Sequence, residues 1–170
     1  GIVFKRIDLK KNNEINARYD QVSSAKLCTT LKNKHGVRVS TVEHLIAALY
    51  ISEIDNAVVE IDCDEVPIMD GSAKNFIEIL LKRERKKLNK KRKFIKILNK
   101  IELLDNDRKI SIEPANMSLE VNFQLNYKNE IIGKQKNTVD LNKDNLEEIY
   151  ESRTFCLFQD IEKIKSKGLA

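Results

Sequence analysis

The sequence has no tryptophan, two prolines, five glycines, three cysteines and two histidines. Each scarcity excludes something. Five scattered glycines leave no glycine-rich loop to cradle a phosphate, and no serine stands in a GxSxG elbow. The cysteines, Cys28, Cys63 and Cys156, are far apart and odd in number, with no CxxC pair. A disulfide framework and a zinc knuckle are therefore not expected, and a reducing setting fits the thiols. The longest apolar stretch, Leu45 to Ile51, is far too short to span a bilayer. Gly1-Ile2-Val3-Phe4 runs straight into Lys5-Arg6, which is not the pattern of a signal peptide.

What is present is enough for a core. The chain has 170 residues, 41% of them hydrophobic and 34% charged, which excludes wholesale disorder. The net charge of +5 is local. Residues 82–93 hold nine basic groups and one acid, and the remaining residues hold 22 basic groups against 25 acidic ones. This run reads as a solvated connection between domains. The phosphate-binding alternative would show aromatics interleaved for base stacking, and none are there.

Periodicity predicts strands at 2–7 and 57–61, with a weak strand signal at 18–22. It predicts a helix over 41–52, opened by a Ser40–Glu43 capping box, and a second over 73–84 capped by Ser72. Beyond the basic run, strands are expected at 94–98, 109–112 and near 130–140. Met117, Leu119, Val121, Phe123 and Leu125 alternate with polar residues, which predicts a strand buried on one side. Helices are expected at 141–150, with Leu146 and Ile149 buried, and from Asp160 to Lys167. The fold class is α+β, in two domains: residues 1–90 and 91–170.

Candidate chemistry is sparse. His35 lies in a polar turn and reads as a surface residue. Glu43 and His44 are adjacent at a helix start, where side chains diverge by about 100° and meet only over the helix end. Glu43 has a second job available as a cap residue. Asp70, in Met69-Asp70-Gly71-Ser72, reads first as a turn former. Ser152-Arg153-Thr154-Phe155 offers a hydroxyl, a cation and an aromatic, or only a connection leaving a helix.

In order along the chain, these strings resemble a known family. They are Gly1–Leu9, Leu27-Cys28-Thr29, Val39-Ser40-Thr41-Val42-Glu43-His44-Leu45, Ile54-Asp55-Asn56, Pro67-Ile68-Met69-Asp70-Gly71-Ser72-Ala73, Ser152-Arg153-Thr154-Phe155, Asp160-Ile161-Glu162 and Gly168-Leu169. The chain resembles the zinc-dependent UDP-3-O-acyl-N-acetylglucosamine deacetylases of lipid A biosynthesis. The resemblance implies two similar domains, each a mainly antiparallel sheet packed with helices, with the active site between them. It implies hydrolysis of the acetamide of a UDP-linked, acylated glucosamine, with release of acetate.

The resemblance also assigns roles. His44 matches a zinc ligand, Glu43 the general base towards the attacking water, and Thr154 a donor to the developing oxyanion. Leu27, Cys28 and Phe155 match residues lining the substrate, and Asp70 a mainly structural residue of the site wall. Further zinc ligands, from an HxxxD helix, and a later histidine are expected beyond Ala170. The 170 residues alone are thus expected to be catalytically incomplete, an internal portion of a longer enzyme. A cytoplasmic Gram-negative protein is implied, with transient membrane-surface contact through the acyl chain and no nucleic-acid partner. The alternative is a non-catalytic relative that binds a sugar nucleotide or an acyl chain.

Overall fold

The computed structural model describes residues 1–116 and 118–166. The chain order is β1 (Ile2–Arg6), β2 (Glu14–Asn16), β3 (Val22–Ser24), β4 (Thr30–Lys32), β5 (Arg38–Val39), α1 (Glu43–Ile51), β6 (Ala57–Ile61) and α2 (Lys74–Leu81). There follow β7 (Ile101–Asp105), β8 (Arg108–Ile112), β9 (Glu120–Asn126), β10 (Lys134–Asp140), α3 (Glu147–Tyr150) and α4 (Ile161–Lys165). The class is α+β. Contacts group the described residues into two units, 1–87 with 147–166, and 88–146. This grouping differs from a division at residue 90 because 147–166 joins the first unit.

In the first unit β1 is the middle strand of three. It pairs antiparallel with β2 and parallel with β6, so that Phe4 stands opposite both Ile15 and Val59. A parallel pair needs a long crossover. Residues 7–56 supply it, and carry the antiparallel sheet β3-β4-β5 and α1. Phe4, Ile15, Leu31, Val39, Val42, Leu45, Leu49, Ile61 and Val66 form one buried cluster. Ala48, Ala73 and Ile77 form another, between α1 and α2. Leu45, Ala48 and Leu49 lie three and four apart, so α1 feeds both clusters from adjoining faces.

Several expectations change in detail. The first helix begins at Glu43, not residue 41, because Thr41 is left-handed with φ +58°. The capping box does not form. Ser40 N–H already donates to Asp64 O at 2.9 Å, and the Glu43 carboxylate turns to Thr29 instead. Residues 19–21 form a 3-10 turn rather than a strand, closed by a two-bond pair between Arg18 and Asp20. The Ser72 hydroxyl accepts from Lys74 N–H at 3.2 Å, while Ala73 takes the cap position of α2.

The second unit is two hairpin ladders. β7 pairs with β8 from Ile101–Ile112 to Asp105–Arg108, and β9 with β10 from Glu120–Asp140 to Asn126–Lys134. The predicted strand at 94–98 has no regular structure; among the described residues no ladder takes up its amides. The alternation in 117–125 does make a strand, but not one buried on one side. Val121 and Phe123 are 44% and 56% exposed, and across the ladder Phe123 faces Asn137. Met117 lies outside the described residues. The helix expected over 141–150 shrinks to α3, with Leu146 and Ile149 half-buried. Residues 141–144 close only a turn on Asp140, whose Oδ1 accepts from Asn142 N–H and whose own N–H donates to Asp144, and regular helix begins at Glu147. α4 ends at Lys165; the expected end at Lys167-Gly168 lies outside the described residues. Among the described residues no helix is long and apolar enough to cross a membrane.

Asp140 provides a test. Lys143, the Ser118 hydroxyl and the Asn142 amide hold its carboxyl down at about 2. A carboxylate depressed in the folded state stabilises the fold above its unfolded pKa of about 4, and that contribution fades as pH falls towards 2. Carboxyl NMR titration of Asp140 should give a midpoint near 2, moving up in Ser118→Ala. A midpoint near 4 in the wild type would contradict these contacts.

Candidate active site

The site begins where α1 begins. Glu43 and His44 are its first two residues and both are half-buried. A carboxylate in the first helical turn complements the helix dipole. The Glu43 Oε2 also accepts from Thr29 N–H at 3.0 Å, and Val42 N–H donates back to Thr29 O at 3.4 Å. The pair is thereby tied to the entry of β4. Just upstream, Leu27 is left-handed and exposed, while Cys28 is half-buried with its Sγ 3.8 Å from Thr30 Oγ1.

A second segment is stitched alongside. Asp70 Oδ1 accepts from both Ser72 Oγ, at 2.7 Å, and Ser72 N–H, at 3.0 Å. These bonds, the hydroxyl first and with help from Arg153, hold its carboxyl below the ordinary carboxylate range. Asp70 is exposed, whereas Ser72 is fully buried. Gly71 between them is left-handed, φ +85°, and is covered by the chain at 153–154. Thr154 N–H donates to Gly71 O at 2.8 Å, Ala73 N–H donates to Tyr150 O at 3.0 Å, and Lys74 pairs with Glu151 at 2.7 Å.

These links place Ile149, Tyr150 and Ser152 against α1. With Glu43, His44, Ala47, Ile51 and Ala73 they line a cavity of about 260 Å³. His44, Ala47 and Ile51 share the lining face of the helix because they are three, four and seven apart. A larger cleft of about 450 Å³ is lined by Asn12, Asn13, Glu14, Asn16, Gln21, Asn33, Lys34 and His35. It shares no residue with the Glu43–His44 pair. Its Asn33 is spent on turns, donating to Asn12 O and Glu14 O and accepting from His35 and Val37 N–H.

The structure thus brings Glu43 and His44 together on one cavity, with Cys28 one residue from the Thr29 amide that holds Glu43. Thr154 and Phe155 are exposed and do not line the cavity; Thr154 hangs on Gly71. Leu27 does not line it either, and Asp70 turns towards Ser72. Sequence reading missed Tyr150, Ile149, Thr29 and Thr41. Nothing local marks Tyr150 as a neighbour of Ala73, 77 positions away.

A catalytic zinc site uses about three protein ligands and an open position. Among the described residues no group of three or more His, Cys, Asp or Glu side chains is arranged so that it could hold a metal ion. His44 fits one ligand position, and the described residues do not fit the whole site.

Fold and site together define an α+β protein with a carboxylate–imidazole pair at a helix start, beside a small cavity. The family model for UDP-3-O-acyl N-acetylglycosamine deacetylase matches residues 1–170. Curated relatives named UDP-3-O-acyl-N-acetylglucosamine deacetylase cover all of this chain. Those from Pseudoalteromonas translucida and Nautilia profundicola are 39% identical to it, and that from Phenylobacterium zucineum is 38% identical. The chain belongs to the UDP-3-O-acyl-N-acetylglucosamine deacetylase family. It spans 57 to 58% of the length of these relatives.

Gly71 tests the stitched segment. A Cβ there would meet Thr154 Cγ2 at 3.6 Å, an ordinary contact, so the cost of Gly71→Ala is in the backbone. A left-handed non-glycine residue costs about 1–2 kcal/mol. Urea unfolding should show a loss of that size. An unchanged midpoint would mean that Gly71 is not held left-handed by its partners.

Proposed function

We propose that the protein is a zinc-dependent deacetylase. In this reading it hydrolyses the acetamide of a UDP-linked 3-O-acylated N-acetylglucosamine, releasing acetate, as a step of lipid A biosynthesis. The protein is then a cytoplasmic enzyme of a Gram-negative bacterium, built of two similar α+β domains, touching a membrane surface only transiently through its acylated substrate. The observation that carries the reading is the Glu43–His44 pair at the start of α1, its carboxylate fixed by the Thr29 amide, on an open cavity also lined by Ile149, Tyr150 and Ser152.

His44 would contribute one imidazole to the metal, whose other donors would lie outside the described residues. When bound, zinc makes water acidic enough to attack near neutral pH. The chain's own residues do the rest. Thr29 holds Glu43 by Oε2, which leaves Oε1 to take the proton from the attacking water. The imidazole and the carboxylate diverge from adjacent positions, so one can hold the metal while the other handles the proton. Thr154 stabilises the oxygen that becomes negative, an interaction that counts mainly in the transition state. Leu27, Cys28 and Phe155 contact the substrate, and Asp70 keeps the Gly71 turn in shape.

In the full-length protein, Glu43→Ala should cut kcat by about 10²–10⁴-fold, the usual contribution of general acid–base catalysis, while zinc content stays near normal. His44→Ala should lower both zinc content and turnover. Thr154→Val should lower kcat more than it raises KM. Equal zinc loss in the Glu43 and His44 variants would contradict the assigned roles. An inactive wild type that still binds the sugar nucleotide would favour a non-catalytic binding relative.

A further inference from the structure

We propose that Glu65 is a positioning residue, whose carboxylate locks Thr41 in the left-handed turn from which α1 starts and so sets where Glu43 and His44 stand. The kinetic part of this inference rests on the deacetylase reading; the conformational part does not.

Thr41 has φ +58° and is only 6% exposed. A β-branched residue in that region is a genuine outlier, and glycine or asparagine would enter it with less strain. The side chain therefore supplies something those residues would not. Its Oγ1 donates to Glu65 Oε1 at 2.6 Å, a short bond to a charged acceptor. Glu65 is itself placed by the backbone. Ser40 bridges to it in parallel, with Ser40 N–H donating to Asp64 O at 2.9 Å and Val66 N–H donating to Ser40 O at 3.0 Å. The residue before Thr41 and both neighbours of Glu65 are thus locked together, and the side-chain bond closes the remaining freedom.

The placement of the next residues depends on this turn. α1 starts with no side-chain cap bond of its own. Val42 goes into the core, and Glu43, one residue later, meets the Thr29 amide. Glu65 does not line the cavity. Its effect on chemistry must therefore pass through Thr41, by the orientation of the pair. Small misplacements of reacting groups are costly, so a loosened turn should lower kcat more than it weakens binding.

The test compares Glu65→Leu with Glu65→Gln in the full-length protein. The glutamine keeps an acceptor oxygen for Thr41; the leucine does not. In Glu65→Leu, kcat should fall at least about tenfold with KM nearly unchanged, as expected for misoriented groups. Exchange of the Thr29 amide, read by NMR, should speed up by about as much, because its acceptor Glu43 is no longer held in place. Glu65→Gln should restore both. Thr41→Val, which removes only the hydroxyl, should reproduce the Glu65→Leu result if that variant folds poorly. Ile77→Val, in the cluster between α1 and α2, is the control for general destabilisation and should leave Thr29 exchange in place. Unchanged Thr29 exchange in both Glu65→Leu and Thr41→Val would overturn the proposal. So would an equal acceleration in Ile77→Val. A wild type without turnover would defeat the deacetylase reading, and the exchange comparison would still decide the role of Glu65.

Discussion

The backbone turn at Thr41 is the constraint on which the rest of the first unit depends. An uninterrupted strand through Val39 would put Val42 on the opposite face from it. In the structure both are fully buried in one cluster with Phe4 and Ile15. A left-handed residue between them reverses the chain sharply enough to bring both inside. It also aims the first turn of α1 at Thr29. The same turn that packs Val39 and Val42 into one cluster therefore leads directly into the Glu43–His44 pair. This is a position where backbone strain, about 1–3 kcal/mol for such a residue, persists because the surroundings over-determine it.

The second requirement is long-range. Tyr150 O and Thr154 N–H bond to Ala73 and Gly71, and Lys74 reaches Glu151. Main-chain bonds carry this contact; the ion pair, with both partners about 40% exposed, adds little. The segment supplies Ile149, Tyr150 and Ser152 to the cavity lining beside His44. Gly71 matters here because its left-handed φ of +85° turns its carbonyl to the chain at 153–154, where it accepts from Thr154 N–H. Sequence-distant residues thus share with α1 the lining of one open cavity.

The elements α1, α2, β1, β6, β9 and β10 were legible in the sequence, being long enough to show a period, whereas β7, also five residues long, was not expected and the helix expected over 141–150 is four residues. β2 and β4 are three residues each and show none. The pair Glu43–His44 was readable by type, but its setting was not. The capping box failed because the Ser40 amide was already donated to Asp64 O, 24 positions away, which no local pattern announces. The burial expected for Val121 and Phe123 was read from alternation. Alternation fixes which residues share a face of a strand; what covers that face depends on tertiary contacts. The proposed roles of Thr154, Phe155 and Leu27 rest on the family strings; the sequence alone marked 152–155 only as a hydroxyl, a cation and an aromatic close together, and gave Leu27 no mark.

At the centre of the chemistry, His44 is proposed to hold a metal while Glu43 handles the proton. The most direct measurement is a zinc titration of the full-length protein followed by the imidazole nitrogen resonances of His44. The expected result is a stoichiometric shift of one ring nitrogen of His44, retained in Glu43→Gln although turnover is lost. Zinc that restores turnover while leaving the His44 ring unperturbed would contradict it.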